Sequence, residues 1–380
     1  MRRALFALLF IVPASGFPAA SLAGKRIAVA RATYESSPAL ARRSTGDSRA
    51  SFTSGGAGYV GNVTIGATTF PLLLDTGSND LWVYSIFTDN VPPGEPVYSP
   101  NTGIATDYRF SINYGDSSRD SSTTNGAVYL DNVAFAGFNF PKLAVGAASH
   151  VGGNNLPIAA AGILGLGSGP FPVQPAGTFP TILGALTSSR ILDENLFTVA
   201  LMRPNEPQSF FTFGYIDNEF LNGATPVFTN VTIARGYWEF PSEYILVNGR
   251  RITRQGNTAV ADTGTTMIRL DPQVLPAIYK PLKGVFNPGR DEWIIPGDLP
   301  LSEYPKITFF AGVAEITLPP EDLRLGRLSD GNYLGSIQPR GENLNADIFG
   351  DYWLRNTYAI HRFGTAPKDF QFGVVQRKPN

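Results

Sequence analysis

The chain has 380 residues, a formal net charge of −1, 16% charged residues, 40 glycines and 30 prolines, a composition typical of a turn-rich β protein with room for two domains or one bilobal unit. The near-neutral charge gives no support to nucleic-acid binding. The absence of cysteine excludes disulfides, a thiol nucleophile and Cys-ligated metals, and two histidines leave little room for a zinc site or a His-dependent hydrolase.

The N-terminus has the pattern of a secretory signal peptide. A basic start, MRR, is followed by the apolar run ALFALLFIV and the small-residue stretch PASGFPAASLA. An N-terminal membrane anchor is the alternative, but the apolar run is shorter than the roughly 20 residues that a membrane span requires. We predict a signal peptide over residues 1–23, and a product that is soluble and secreted to the outside of the cell rather than sent to the vacuole.

A basic segment follows, ending in the dibasic pair Arg42-Arg43, and predicts a propeptide over residues 24–43 with a processing site. Residues 1–43 hold seven of the 30 Lys and Arg residues and one of the 31 acidic residues, which leaves residues 44–380 with a net charge of −7. We therefore hypothesise that the basic segment pairs electrostatically with the acidic body until it is removed. Two sequons, at Asn62 and Asn230, are candidate glycosylation sites on such a secretory route.

The body of the chain consists of β-branched and aromatic runs bounded by Gly, Pro, Asn or Asp, which predicts many short strands. The predicted strands are 59–66, 68–75, 107–115, 126–135, 197–202, 209–214, 258–264, 306–312, 314–319 and 357–363. Helical patterns are few. They cover 178–193 and 271–282, the second with Asp271 as a helix cap and Pro272 in the first turn.

Two motifs occur twice. LLLDTGS at 72–78 returns as AVADTGT at 259–265, and AGILGLG at 161–167 has a counterpart in ADIFGDYW at 346–353. Both repeats occur in the same order, which indicates a duplicated half.

The spacing of the motifs supports this duplication. Asp75 precedes Gly165 by 90 residues, and Asp262 precedes Gly350 by 88. Two like halves related by a pseudo-two-fold axis would bring equivalent loops together at the axis. We therefore expect Asp75 and Asp262 to face each other.

Two facing carboxyl groups explain why a buried strand ends in an acid, which alone would cost several kcal/mol. Carboxylates a few ångströms apart share one proton and titrate as a pair. One then serves as general base for a bound water that attacks an amide carbonyl, and the other as general acid.

The residues that follow each aspartate are predicted to support the dyad. Glycine lets backbone N–H groups approach the carboxylates, the next hydroxyl donates to their outer oxygens, and the threonines bridge the two loops by hydroxyl-to-backbone hydrogen bonds. These supporting residues are Thr76, Gly77, Ser78, Thr263, Gly264 and Thr265.

Paired DTG-S/T motifs, each followed by an apolar-apolar-Gly motif, resemble those of the pepsin-like aspartic endopeptidases, especially the fungal secreted kind. The resemblance extends from about residue 58 to the end of the chain. It implies a mainly all-β, bilobal fold with a few short helices and a substrate cleft between an N-terminal lobe (44–222) and a C-terminal lobe (223–380). It also implies a monomer that binds protein or peptide substrates and pepstatin-type inhibitors, with no metal, organic cofactor, nucleic acid or membrane.

INYGDSS at 112–118 resembles the family's flap hairpin, which closes over the substrate. The resemblance makes Tyr114 the flap tyrosine, and makes Gly115 and Asp116 backbone contacts to the peptide. Trp82 matches the tryptophan whose indole N–H meets that tyrosine.

The sequence departs from the family pattern at two places. Ser117 replaces the usual glycine of the flap, and RDSSTTN at 119–125 lengthens the hairpin. Asn79-Asp80 stands where Ser-Asn is common, and we expect it to perturb local hydrogen bonding more than the chemistry.

Each of these assignments has a structural alternative. A single DTG is more often a turn after a strand, and only the duplication favours a catalytic role for Asp75 and Asp262. Tyr114 and Trp82 could be core aromatics. Asp116 is either an exposed hairpin acid or a cleft residue that favours a basic side chain before the scissile bond, as in some fungal relatives.

The sequence therefore predicts a secreted, acid-active endopeptidase, made as a zymogen, that cleaves between hydrophobic residues. An inactive peptide-binding member of the same fold is the first alternative. A glycosidase also uses two carboxylates, but it does not place them in repeated DTG loops.

Overall fold

The computed structural model describes the chain in segments: residues 25–33, 57–114, 122–152, 156, 160–169, 177–203, 206, 208–232, 235–341 and 344–377. The predicted signal peptide and the dibasic pair Arg42-Arg43 lie outside the described residues, as do residues 115–118 of the predicted flap hairpin and 119–121 of the segment predicted to lengthen it.

Eleven strands belong to the first part of the chain. They are β1 (Lys25–Ala28), β2 (Ala30–Thr33), β3 (Ala57–Ile65), β4 (Thr68–Asp75), β5 (Leu81–Tyr84), β6 (Ile104–Tyr114), β7 (Ser122–Phe135), β8 (Phe138–Val151), β9 (Gly162–Gly165), β10 (Leu196–Ala200) and β11 (Phe210–Phe213).

Sixteen strands follow. They are β12 (Val227–Asn230), β13 (Glu239–Pro241), β14 (Tyr244–Val247), β15 (Arg250–Thr253), β16 (Thr258–Ala261), β17 (Ile268–Leu270), β18 (Val285–Asn287), β19 (Glu292–Ile295), β20 (Ile307–Ala311), β21 (Ala314–Leu318), β22 (Arg324–Arg327), β23 (Tyr333–Gly335), β24 (Ile337–Pro339), β25 (Asp347–Phe349), β26 (Thr357–Arg362) and β27 (Gln371–Gln376).

The helices are short: α1 (Ile182–Ser189), α2 (Asn218–Leu221), α3 (Leu275–Tyr279) and α4 (Asp351–Leu354). Among the residues that the structure describes, no helix has the length and apolar character needed to cross a bilayer. The prediction of a mainly β protein with few helices is confirmed.

The strands form one large sheet in the first half, three smaller sheets in the second and one sheet shared by both. The large sheet has the strand order β2-β3-β4-β9-β5-β8-β7-β6. The three smaller sheets are β13-β16-β25-β17-β24, β15-β14-β20-β21 and β18-β19-β23-β22. The sheet that contains strands of both halves has the order β1-β11-β10-β26-β27-β12, and we call it the shared sheet. The bilobal pepsin-like fold expected from the sequence is confirmed.

The duplication is visible in the strand pairing around each DTG motif. In the first half, β4 runs parallel to β9, β5 runs antiparallel to β9, and β5 runs parallel to β8. The second half repeats this pattern: β16 runs parallel to β25, β17 runs antiparallel to β25, and β17 runs parallel to β24. The strand that ends at a DTG aspartate therefore lies beside the strand of the apolar-apolar-Gly motif in both halves.

Each of the predicted strands overlaps an observed one, but a clear hairpin was missed. Asn248-Gly249 joins β14 to β15, with φ of 50° and 77° at the two residues. Asn-Gly between apolar runs is the strongest short hairpin signal, because both residues tolerate the positive φ of a type I′ turn. The sequence YILVNGRRIT at 244–253 contains this hairpin signal.

Both predicted helices are shorter than expected. Thr181 caps α1 by accepting a hydrogen bond from the Gly184 N–H, and the helix ends at Arg190, whose φ is 52°. Asp271 caps the second, as predicted, by accepting from the Gln273 N–H. That segment begins with one 3₁₀ turn before α3, because Pro276 lacks the N–H group that a continuous α-helix would donate to the Pro272 carbonyl.

A buried histidine lies in the aromatic core of the shared sheet. His361 on β26 stacks on Phe197 with ring centroids 4.3 Å apart, and Trp238 and Phe372 meet it edge-on. Neither ring nitrogen has a hydrogen-bond partner, and burial lowers the pKa of His361 to about 3. This ring is therefore neutral in the folded protein over most of the acidic range.

His361 should make the protein less stable as the pH falls. An unfolded histidine binds a proton below its ordinary pKa of about 6.5, whereas the folded one does so only near pH 3. Between those values the unfolded state holds more protons, so the free energy of unfolding decreases with falling pH by up to ~1.4 kcal/mol per pH unit. In a His361→Phe variant, urea unfolding between about pH 6 and pH 4 should show a shallower decrease. The exposed His150, replaced in His150→Gln, is the matched control, and an equal slope in both variants would contradict the prediction.

Candidate active site

The two aspartates end equivalent strands and are both buried. Asp75 is the last residue of β4 and is 5% exposed, and Asp262 directly follows β16 and is 8% exposed. Neighbouring strands fix both backbones: the Leu166 N–H donates to the Asp75 carbonyl at 2.7 Å, and the Asp262 N–H donates to the Phe349 carbonyl at 3.1 Å. The repeated sheet pattern thus places the two carboxyl groups close to each other.

Thr76 and Thr263 join the two loops by reciprocal hydrogen bonds. Each hydroxyl accepts from the other threonine's backbone N–H, both at 3.0 Å. Each also donates to a strand carbonyl of the opposite half, Thr76 to Ala261 at 2.9 Å and Thr263 to Leu74 at 2.5 Å. Both threonines are fully buried. We refer to these four hydrogen bonds as the threonine cross-link.

Each carboxylate receives the same two hydrogen bonds from its own loop. The Gly77 N–H donates to one oxygen of Asp75 at 2.8 Å, and the Ser78 hydroxyl donates to the other at 2.5 Å. In the second half the Gly264 N–H and the Thr265 hydroxyl donate to Asp262 at 2.8 and 2.6 Å. These charge-assisted bonds offset part of the desolvation cost of the acids.

The glycines set how closely the two acids approach. A Cβ atom added to Gly77 would lie 2.4 Å from Asp262 Oδ1, and one added to Gly264 would lie 2.3 Å from Asp75 Oδ1. Each glycine therefore packs against the carboxyl group of the opposite loop. Any larger residue at either position would force the loops apart.

This proximity changes the acidity of the pair. Burial, and then the charge of Asp262, raise the pKa of Asp75 well above its ordinary value, although Ser78 and Gly77 oppose the shift by hydrogen bonding to the charged form. Asp75 therefore retains its proton to a higher pH than an ordinary aspartate does. A buried pair of this kind can hold one proton and present both an acid and a base to a water molecule.

Trp82 and Tyr114 meet as the sequence resemblance implied. The Trp82 indole N–H donates to the Tyr114 hydroxyl at 2.6 Å, and the ring centroids are 6.3 Å apart. Tyr114 ends β6 and is partly buried against the core. Gly115 and Asp116 lie outside the described residues, so their predicted contacts to a peptide stay predictions. Of the segment predicted to lengthen the hairpin, Ser122 to Asn125 belong to β7.

Asn79 ties the first DTG loop to the segment 166–169, which in turn contacts the second half, and the sequence did not predict this arrangement. Its side-chain oxygen accepts from the Gly169 N–H at 2.7 Å, and the neighbouring Ser168 N–H donates to the Gly236 carbonyl at 3.0 Å. Trp238 reinforces this contact, since its indole N–H donates to the Leu166 carbonyl at 2.8 Å. Only an alignment of relatives could have pointed to these residues.

Tyr237 is a further site residue that sequence reasoning missed. Its pKa is raised by burial and then by the negative charge of Asp262, with smaller contributions from Asp75 and Asp80. The residue is 37% exposed, and it lies near enough to the acids for their charges to act on it. No short motif surrounds it in the sequence.

The two sequon asparagines, Asn62 on β3 and Asn230 on β12, are exposed. Both are accessible to a modifying enzyme, and their glycosylation stays a prediction.

Thr76→Val should separate the two carboxyl groups. Valine has the shape of threonine but cannot accept from the Thr263 N–H or donate to the Ala261 carbonyl, and each buried group left unpaired costs roughly 1–3 kcal/mol. We expect a loss of about 2–4 kcal/mol in the free energy of unfolding and a fall of roughly 10²-fold in any activity of the dyad, because its geometry is no longer held. Thr69→Val, which removes the exposed Thr64–Thr69 hydrogen bond, is the control. Equal losses in both variants would contradict the prediction.

Comparisons with known proteins agree with this geometry. A family model described as eukaryotic aspartyl protease matches residues 58–370. The chain is 31% identical over 349 residues to aspergillopepsin-1 of Aspergillus oryzae, covering 90% of this chain and 85% of that protein. It is 29% identical over 337 residues to aspartic protease pepA of Arthroderma gypseum, covering 82% and 80%.

Among solved structures, the crystal structure of aspartic proteinase from Irpex lacteus superposes with a TM-score of 0.66 over 84% of this chain and 94% of that one. Its 21% sequence identity supports the shared fold only. The family model and the sequence relatives carry the assignment further: the chain belongs to the eukaryotic aspartyl proteases, the pepsin-like aspartic endopeptidases.

Proposed function

We propose that the protein is a secreted acid endopeptidase, made as a zymogen, that hydrolyses peptide bonds with Asp75 and Asp262 as its catalytic residues. The observation that carries this proposal is the mutual approach of two buried carboxyl groups in loops joined by the threonine cross-link. Its relatives are named aspergillopepsin-1 and aspartic protease. We propose the same chemistry for this chain, with broad preference for hydrophobic residues on both sides of the cut.

The reaction uses a water molecule between the two carboxyl groups. The ionised carboxyl takes a proton from the water as it attacks the peptide carbonyl carbon, while the protonated one donates to the carbonyl oxygen. The tetrahedral intermediate then collapses and the C–N bond breaks. The carboxyl that took the water's proton gives a proton to the leaving nitrogen, and the other carboxylate takes one from a hydroxyl of the intermediate. Ser78 and Thr265 hold the outer oxygens, so that the inner ones stay directed at the water.

The closure of the site over a peptide would involve Tyr114. Its hydroxyl is already held by the Trp82 indole, which orders the ring before a substrate binds. A preordered ring reduces the entropy cost of binding an extended peptide. We propose that Gly115 and Asp116 supply further contacts to the peptide.

The zymogen proposal draws support from the described part of the predicted propeptide. β1 pairs with β11 at the edge of the shared sheet, and β2 pairs with β3. Arg26 forms a 3.0 Å ion pair with Asp217 and stacks over the Phe210 ring, and Val29 is buried. We propose that processing at Arg43 leads to release of this docked segment from the acidic body.

An inactive binding protein on the same fold is the second candidate, since a fold does not guarantee chemistry. The intact hydrogen bonding around both aspartates argues against it. A protein selected only to bind peptides would have no need for two buried acids, whose desolvation is costly.

Asp75→Asn and Asp262→Asn should each abolish most of the hydrolysis of denatured haemoglobin or casein by the acidified, processed protein. Each variant removes the general acid or base, which contributes roughly 10²–10⁴-fold to the rate. Pepstatin should inhibit the unchanged protein. Asp193→Asn, at an exposed acid outside the site, is the control. Hydrolysis that persists in either dyad variant would refute the assignment, and a folded, processed protein without any hydrolysis would favour the binding protein.

Activity should disappear as the pH rises towards neutral. The active dyad holds one proton, and the raised pKa of Asp75 keeps that proton in acid. Above that pKa both carboxyls are charged and the general acid is lost, so kcat/KM decreases with rising pH. The measurement is a profile of kcat/KM between about pH 3 and pH 8 at constant ionic strength. A level profile over that range would contradict a carboxyl dyad.

A further inference from the structure

Trp238 lies where the two halves meet, and its ring belongs to the core of the shared sheet. It directly precedes β13 and is fully buried. Its ring meets those of Phe197 and His361 at centroid distances of 5.7 and 4.9 Å. Packing alone would explain a tryptophan in such a core, but the polar atoms of Trp238 make contacts that packing does not require.

Trp238 completes a path of hydrogen bonds between the backbones of the two proposed catalytic residues. The Leu166 N–H donates to the Asp75 carbonyl at 2.7 Å, and the Trp238 indole N–H donates to the Leu166 carbonyl at 2.8 Å. On the other side, the Ala261 N–H, one residue before Asp262, donates to the Trp238 carbonyl at 3.2 Å. None of these three hydrogen bonds belongs to the threonine cross-link.

Neighbouring contacts hold both ends of this path in place. On the side of the first DTG loop, the Gly167 N–H donates to the Ser78 carbonyl at 2.7 Å. On the side of the second half, Ser168 donates through its N–H to the Gly236 carbonyl at 3.0 Å and through its hydroxyl to the Tyr237 carbonyl at 3.1 Å. The segment that follows β9 is therefore bonded to the first DTG loop on one side and to the second half on the other.

The path is shielded from water. Leu166, Trp238 and Ala261 are all fully buried. A hydrogen bond in such surroundings does not compete with water, and removing its donor leaves a buried carbonyl without that partner. Loss of the indole N–H would therefore break the path at its middle bond and allow the strand of Asp75 to shift.

Trp353 demonstrates that an indole in this protein can pack without such a bond. It is also fully buried, and its ring centroid lies 4.8 Å from that of Phe349. Among the residues that the structure describes, its Nε1 atom has no hydrogen-bond partner. The two tryptophans share their burial and differ in the hydrogen bond, which makes Trp353 a matched control.

We propose that Trp238 is a positioning residue: through Leu166, its indole N–H fixes the distance between Asp75 and the strand that leads to Asp262. This deepens the proposed function and rests on it, since it takes Asp75 and Asp262 to be the catalytic pair. Trp238 does not touch the reacting atoms. Because both acids must reach one water molecule, a small shift of either strand lowers the rate of the chemical step, whereas the binding of the peptide changes little.

The experiment removes the indole N–H without changing the shape of the ring. Benzothienylalanine, in which a sulfur atom replaces the N–H, is incorporated in place of Trp238, and the same replacement of Trp353 is the control. Trp238→Phe and Trp353→Phe form a second matched pair. The processed proteins are assayed on a peptide substrate in acid, kcat and KM are measured separately, and the active sites are counted by titration with pepstatin.

We expect kcat to fall by about tenfold in both variants of Trp238, with KM changed by less than about twofold. The falling limb of kcat/KM at higher pH should also move to lower pH by about half a unit, because acids that lie further apart raise each other's pKa less. The other described titratable groups near the pair, Asp80, Tyr114 and Tyr237, are the same in every variant. Neither kcat nor the pH profile should change in the variants of Trp353.

Two kinds of outcome would overturn the proposal. One is an unchanged kcat and pH profile in the variants of Trp238, or equal losses in the variants of Trp353. The other is failure of the benzothienylalanine protein to fold, because the indole N–H would then be needed for the fold rather than for the geometry of the pair. A folded, processed wild-type protein without hydrolysis, or an active Asp75→Asn variant, would instead refute the proposed function, so the two failures are distinguishable.

Discussion

The threonine cross-link is the contact on which the rest of the site depends. Its four hydrogen bonds join two strand ends from opposite halves, and they hold the two DTG loops against each other. Because both threonines are fully buried, no water competes for these bonds. The cross-link holds each glycine against the opposite acid, and this closeness makes two costly carboxyls into one proton-sharing pair.

The duplicated sheets supply the rigidity that the cross-link needs. In each half the strand that leads to the aspartate pairs with the strand of the apolar-apolar-Gly motif. The backbone hydrogen bonds of this pairing therefore fix the position of each aspartate. The shared sheet then joins the two halves behind the site. Trp238 connects the two regions, since its ring packs against His361 of that sheet while its indole N–H holds the loop at Leu166.

The site is acidic beyond its dyad. Asp80 and Tyr114 surround Asp75 with groups that lose a proton to become negative, and no described cation compensates for them. Burial raises the pKa of Asp75, of Asp80 and of Tyr114 above their ordinary values. The uncharged forms of these groups are therefore favoured in acid.

The sequence by itself determined the mainly β fold and the pairing of Asp75 with Asp262, because two local motifs that recur in the same order at nearly equal spacings indicate a duplicated half. It also placed Ser78, Thr265 and the threonines correctly, since their roles depend on positions close to each aspartate. Only the tertiary structure decided the positions of Asn79, Tyr237 and Trp238 at the site. They interact with segments distant in the chain, and such contacts, like burial, are properties of the packed molecule that no local pattern contains.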